Sequence, residues 1–147
     1  MKKVEIRGVK YAYILAKGFL SWDEKIPSFD TADKNLLKSS LETPFQSFHG
    51  EDLYDSLPRK GAALFYFLIK NHPFQNGNKR IAVTTIFVFF YKNEKWLNIS
   101  SDLLYYLARF VAESKTTAKN DILELLASVF KDNLSDKEIN LSHGKKK

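Results

Sequence analysis

The chain contains no cysteine. That absence excludes a disulfide scaffold, a thiolate-bound metal and a cysteine nucleophile together. It also lacks an apolar run that could span a bilayer. The longest, residues 81–91, includes two threonines and falls far short of the roughly 20 residues needed. No signal peptide is read at the start, because Glu5, Arg7 and Lys10 follow Met1-Lys2-Lys3 where an apolar segment would have to begin. There is no internal repeat and no stretch of linker composition. These absences lead to the expectation of a cytoplasmic, single-domain chain with no membrane contact. Its 147 residues suffice for a core without disulfides or metals.

What is present is aromatic and basic. Twelve Phe, seven Tyr and two Trp suit a helical core built from large side chains. The formal charge is +6, but half of it belongs to Lys145, Lys146 and Lys147. These end a segment, residues 132–147, read as a disordered basic tail after a domain over residues 1–131. No predicted helix interleaves Arg and Asn like a base-reading helix, so direct nucleic-acid binding is not expected.

Hydrophobic spacing predicts an all-α fold. A first helix covers residues 9–19, with Val9, Tyr13, Ala16 and Leu20 at helical spacing and Gly18 weakening its end. Residues 22–29, holding Pro27, read as a loop. Asp30 or Thr31 caps a second helix to residue 41, with Leu36, Leu37 and Leu41 near one face. Pro44, Gly50 and scattered polar residues make 43–56 an extended loop or short hairpin. Ser56-Leu57-Pro58 is a helix start, an N-cap serine followed by proline in the first turn. Ala62, Phe65, Tyr66 and Ile69 then follow at i, i+3, i+4 and i+7. Pro73 disfavours right-handed helix at His72, so His72 is placed at or just past the helix end.

Residues 81–91 admit two readings. Asn76-Gly77 is a strong hairpin signal, and the β-branched run after it fits a buried strand. The length exceeds most strands, and a helix apolar on all faces belongs in the middle of a bundle. The central helix is favoured. Residues 96–99 read as a connector. Ser100 or Ser101 caps a helix to residue 112. Asn120 or Asp121 starts a last helix to residue 131, with Ile122, Leu125, Leu126 and Val129 on one face.

The chemistry concentrates in His72-Pro73-Phe74-Gln75-Asn76-Gly77-Asn78-Lys79-Arg80. A histidine can accept a proton near neutral pH. A glycine lets backbone approach a ligand, and free N–H groups at a helix start favour an anion. Lys79 and Arg80 add two cations at that point. A base beside an anion-binding helix terminus suits transfer from a phosphate donor. Spacing alone equally allows a plain helix–turn–helix joint with a solvated histidine and two surface cations. The glycine spacing is not that of a P-loop, and no second histidine stands at zinc-ligand spacing.

This nine-residue segment resembles the signature of the Fic/Doc superfamily, H-x-F-x-D/E/N-A/G-N-G/K-R. Lys79, where Fic AMP-transferases carry a second glycine, resembles the Doc, or death on curing, branch. Pro44-Phe45-Gln46-Ser47-Phe48 with Asp52-Leu53-Tyr54, and Lys60-Gly61-Ala62-Ala63-Leu64, are similar to the stretches preceding the motif in Doc-like chains. The resemblance implies a helical bundle with a short extended flap before the motif helix.

It also implies roles. His72 would be the catalytic base that deprotonates a hydroxyl of a target protein as it attacks a phosphorus of ATP. Phe74 would anchor the loop. Gly77 and Asn78 would form the backbone anion cradle, and Lys79 and Arg80 the phosphate-binding cations. Asn76 stands where most members have an acidic Mg2+ ligand, and a neutral amide binds a hard cation more weakly. Residues 44–52, with Pro44, Phe45, Gln46, Ser47 and Phe48, would be the flap on which a target peptide pairs. His49 in that flap and His143 in the tail are read as solvated. Val83 replaces a further Arg of the AMP-transferases. With Lys79, this implies phosphoryl transfer, with AMP transfer by the same residues as the alternative and a catalytically weak binding module as another. No inhibitory Ser/Thr-x-x-x-Glu-Gly/Asn motif appears near either terminus, which implies a toxin controlled by a separate antitoxin. Elongation factor Tu is the target the resemblance suggests.

Overall fold

The computed structural model describes residues 1–17 and 29–137. Among them run six helices: α1 (Ile6–Lys17), α2 (Lys34–Glu42), α3 (Leu57–Lys70), α4 (Asn78–Lys92), α5 (Ser101–Glu113) and α6 (Lys119–Asp132). Two short antiparallel pairs join them. β1 (Ser47–Phe48) pairs with β2 (Glu51–Asp52), and β3 (Lys95–Leu97) with β4 (Leu134–Asp136). The fold is all-α, as the spacing predicts.

The α3–α4 hairpin is the centre of the bundle. From Lys60 to Ile69, α3 is buried except at Phe67, and α2, α5 and α6 pack on it. On α4 the run Arg80 to Ile86 is wholly buried, as are Phe89 and Phe90, beneath α1, α3 and α5. This decides between the two readings of residues 81–91. Neighbours on every side bury a helix apolar all round, and that burial overrides the β-preference of Ile81, Val83, Thr84, Thr85 and Ile86.

The two central helices come close together at Gly61. A Cβ built there would run into the Phe90 ring, with Cε1 at only 2.9 Å. Phe90 is fully buried, its ring centroid 5.3 Å from Phe89 and 5.4 Å from Phe130, so it has little room to yield. Gly61→Ala should therefore destabilise the protein by about 1–2 kcal/mol, because overpacking outweighs the roughly 1 kcal/mol of helix propensity gained. Urea unfolding measures this, and adding Phe90→Leu should recover most of the loss.

Side-chain caps set the starts of α2, α3 and α5. Ser56 Oγ accepts the Arg59 N–H at 3.3 Å, and Ser100 Oγ that of Leu103 at 3.2 Å. For α2 the cap is Asp33, not Asp30 or Thr31. Its Oδ1 accepts from Asn35 N and Leu36 N at 3.0 and 3.1 Å, while Asp30 and Thr31 lie in a separate 3-10 turn, Phe29–Thr31. On α2, Leu37 and Leu41 are buried and Leu36 is exposed. α1 begins at Ile6, ahead of the predicted residue 9. α6 begins at Lys119 after a 3-10 turn, and it buries Ile122, Leu126, Ala127 and Phe130 rather than Leu125, which is exposed.

The tail begins later than predicted. Residues 134–136 form β4 against β3, so 96–99 is not a bare connector. Lys95 Nζ reaches Asp136 Oδ1 at 2.6 Å across this pair. Lys137 N donates to Glu94 O at 3.0 Å, and Lys137 Nζ lies 3.8 Å from the Tyr91 ring centroid. At the other end of the chain, Lys2 N donates to Asn93 Oδ1 at 2.6 Å, and Asn93 Nδ2 returns a bond to Lys2 O at 3.0 Å. The predictions for Leu20, for the loop at 22–28 and for the tail over 138–147 lie outside the described residues.

Candidate active site

Three anchors shape the loop between α3 and α4. First, α3 stops at Asn71, whose N–H bonds Phe67 O at 2.9 Å. Asn71 Nδ2 also donates to the buried Ser40 Oγ of α2 at 2.9 Å. His72 follows with φ 53°, a left-handed turn that helix ends ordinarily reserve for glycine. Its side chain is exposed. Second, Phe74 is 1% exposed and its ring lies 5.5 Å from that of Phe29. Asp33 N–H donates to Pro73 O at 2.7 Å, so the start of α2 is docked on the loop. Third, the buried Asn78 side chain brackets Phe74. Its Oδ1 accepts the Phe74 N–H at 3.0 Å and its Nδ2 donates to Phe74 O at 2.8 Å.

Gly77, with φ 77°, is the N-cap of α4 and supplies no side-chain cap. The start of α4 thus has no cap from its own N-cap side chain, and the helix dipole there favours negative charge. Beside them lies a cavity of about 330 Å³ lined by Ile69, Lys70, His72, Asn78, Lys79 and Ala112. It is at the lower end of the ligand-pocket range. The predicted base, His72, and one predicted phosphate-binding cation, Lys79, thus share one cavity.

Arg80 occupies the same turn of α4 as Lys79 but is buried, and it does not line the cavity. Asn76 is exposed on the loop and is not among the lining residues. The Asn78 side chain fixes the loop, which leaves its backbone for the anion cradle. Two larger clefts, of about 460 and 500 Å³, lie at Arg59 and Glu124 and between α1 and α2. Both are lined by side chains of opposite charge and contain no motif residue, so the smaller cavity is the one with chemistry to offer. Burial pushes the Tyr54 phenol above its ordinary range, aided by Tyr66, and burial alone pushes Tyr66 up. Neither lines the cavity, and both phenols stay protonated near neutral pH.

The flap assignment needs correction. The hairpin carrying Ser47 and Phe48 is present, but its base sits at the start of α3. Lys60 Nζ, buried, holds Asp52 Oδ2 at 3.1 Å and the Tyr54 carbonyl. Phe45 packs edge-on against Phe89 near the far end of α4, at 6.2 Å. From Lys60 to Asn71 the helix rises about 16 Å, and no hairpin residue lines the cavity at His72. Pro44 is buried, while Gln46, Ser47 and Phe48 are exposed at that opposite pole. The length of α3 already carried this signal, since a segment preceding a 14-residue helix starts one helix length from its end.

Sequence reasoning missed Lys70 in the cavity wall. It stands in the last turn of α3, two residues before His72, and that position was a usable signal.

The model of one protein family, described as the Fic/DOC family, matches residues 11–90, from within α1 to within α4. No curated protein and no solved structure matches the chain. Among the described residues no helix is long and apolar enough to cross a membrane.

Proposed function

The chain belongs to the Fic/DOC family, whose members transfer nucleotidyl or phosphoryl groups to proteins, and from this we propose that it is a Doc-like kinase that moves the γ-phosphoryl group of ATP to a hydroxyl of a target protein. His72 takes the hydroxyl proton. The oxygen forms a bond to the γ-phosphorus, the bond from that phosphorus to the β,γ-bridging oxygen breaks, and ADP leaves. The amides at the start of α4 and Lys79 in the cavity balance charge on the phosphates, and the buried Arg80 contributes through its field rather than by contact.

One observation carries the choice of γ-phosphoryl transfer. Lys79 lines the same cavity as His72, where AMP-transferases carry a small glycine, while Val83, in place of their further arginine, is buried in the core. Family enzymes use a divalent metal with ATP. Here the motif offers Asn76, an exposed amide that is a weak ligand for a hard cation. Among the described residues no group of three His, Asp or Glu side chains could hold a metal ion. This donor set does not fit a protein-held Mg2+. A toxin role with a separate antitoxin, in the cytoplasm, is part of the same reading.

The test exposes a bacterial lysate and purified elongation factor Tu to the protein with Mg2+ and ATP labelled on either the γ- or the α-phosphate. Label should move from the γ position only and be lost with His72→Ala. Transfer from the α position would make this an AMP-transferase. Silence in both arms from a folded protein would leave a binding module. A growth defect on expression, relieved by a co-purifying partner, is expected for the toxin role.

A further inference from the structure

The cavity at His72 has a wall that should repel its ligand. Ala112 lies in the last turn of α5 (Ser101–Glu113), and a helix C-terminus carries about half a negative charge on its free carbonyls. A polyphosphate entering beside it would meet those carbonyls. Lys70 meets them instead. Its Nζ donates to Ala112 O at 3.4 Å and to Ser114 O, and Lys70 itself lines the cavity.

An ammonium has three donors, and the carbonyls of α5 take two of those of Lys70. They also hold the long side chain in place, so its rotamer freedom is already spent before a ligand arrives. Lys70 thus cancels the field of the α5 terminus and keeps one charged donor for an anion.

We infer that Lys70, seated on the C-terminal carbonyls of α5, is a phosphate-binding residue of this site. It joins Lys79 across the cavity in holding the polyphosphate of the nucleotide. The inference rests on the reading of the cavity as an ATP site. It assigns to a side chain outside the nine-residue motif, and to an element beyond residue 90, part of the charge balance that a metal ligand at Asn76 would otherwise share.

Calorimetric titration of ATP into the full chain tests it, in EDTA and in Mg2+, with circular dichroism on each variant. Lys70→Gln keeps an N–H for the α5 carbonyls and removes the charge. It should weaken ATP binding about tenfold or more in both arms, the size of one lost charge-assisted hydrogen bond. Lys70→Arg should retain most of the affinity. Lys92→Met, at the other end of α4, should change nothing. Wild-type affinity in a folded Lys70→Gln variant would overturn the inference and leave the ATP site standing. The same loss in Lys92→Met would overturn it too, since the effect would then be one of net charge. No ATP binding by the folded wild-type chain in either arm would overturn the inference and the ATP-site reading together.

Discussion

Replacing His72 with glycine should lower label transfer by at least about 100-fold, the lower range for a lost general base, while leaving the fold intact. The reason lies in the backbone. His72 sits at φ 53°, immediately after the last hydrogen-bonded turn of α3, where an L side chain is disfavoured and glycine is not. His72→Ala should lose transfer equally, yet be less stable than His72→Gly by about 1 kcal/mol. Single-turnover transfer and urea unfolding on the two variants give the comparison. Equal stabilities would show that the left-handed turn is not strained. Residual transfer near the wild-type rate would remove His72 from the chemistry.

Asn78→Asp should be the more damaging change in spite of its near-identical shape. Asn78 is 5% exposed and uses both ends of its amide on Phe74. Aspartate retains the acceptor for the Phe74 N–H but sets a second oxygen against the Phe74 carbonyl and brings a charge into a buried site. A buried polar group left unsatisfied costs about 1–3 kcal/mol, and more when charged. A loss of about 3 kcal/mol is expected. Transfer should fall by about 100-fold as well, since a displacement near 1 Å in a catalytic loop is enough for that. Asn78→Ala, which loses both bonds without adding charge, should be less destabilised than Asn78→Asp. The reverse order in chemical denaturation would mean that the bracket is not what holds the loop.

Much of this site was legible locally. Ser56 and Pro58 announce α3, Pro73 ends it, and Gly77 with the apolar run that follows marks α4. The motif lies between, so one local pattern gives the proposed base, the helix start and the cation in order. What was not legible depends on distant partners. β3 and β4 are three residues each and lie far apart in sequence, and neither carries an alternation long enough to see. Asp30, Thr31 and Asp33 are all good caps, and only the docking of Asp33 on Pro73 selects among them. The exposure of Leu125 depends on which side of α6 faces α3, and Leu125 and Leu126 offer the pattern two nearly equal choices. The flap was misplaced for another reason. Similarity of a stretch to its counterpart in other chains carries a role with it, but the role depends on the pole of the bundle where the stretch ends up.

The bonds at Asn93 and Glu94 give the bundle a nearly circular plan. Lys2 is tied to Asn93 and Lys137 to Glu94, so two positions 135 places apart in the chain come together on one turn at the close of α4. His72 and Gly77 lie at the opposite pole. A short linker from residue 137 to residue 2 would close the ring, and new termini opened at the exposed His49-Gly50 tip would cut no helix. Such a permuted chain would keep every element that shapes the cavity in its present order around the ring.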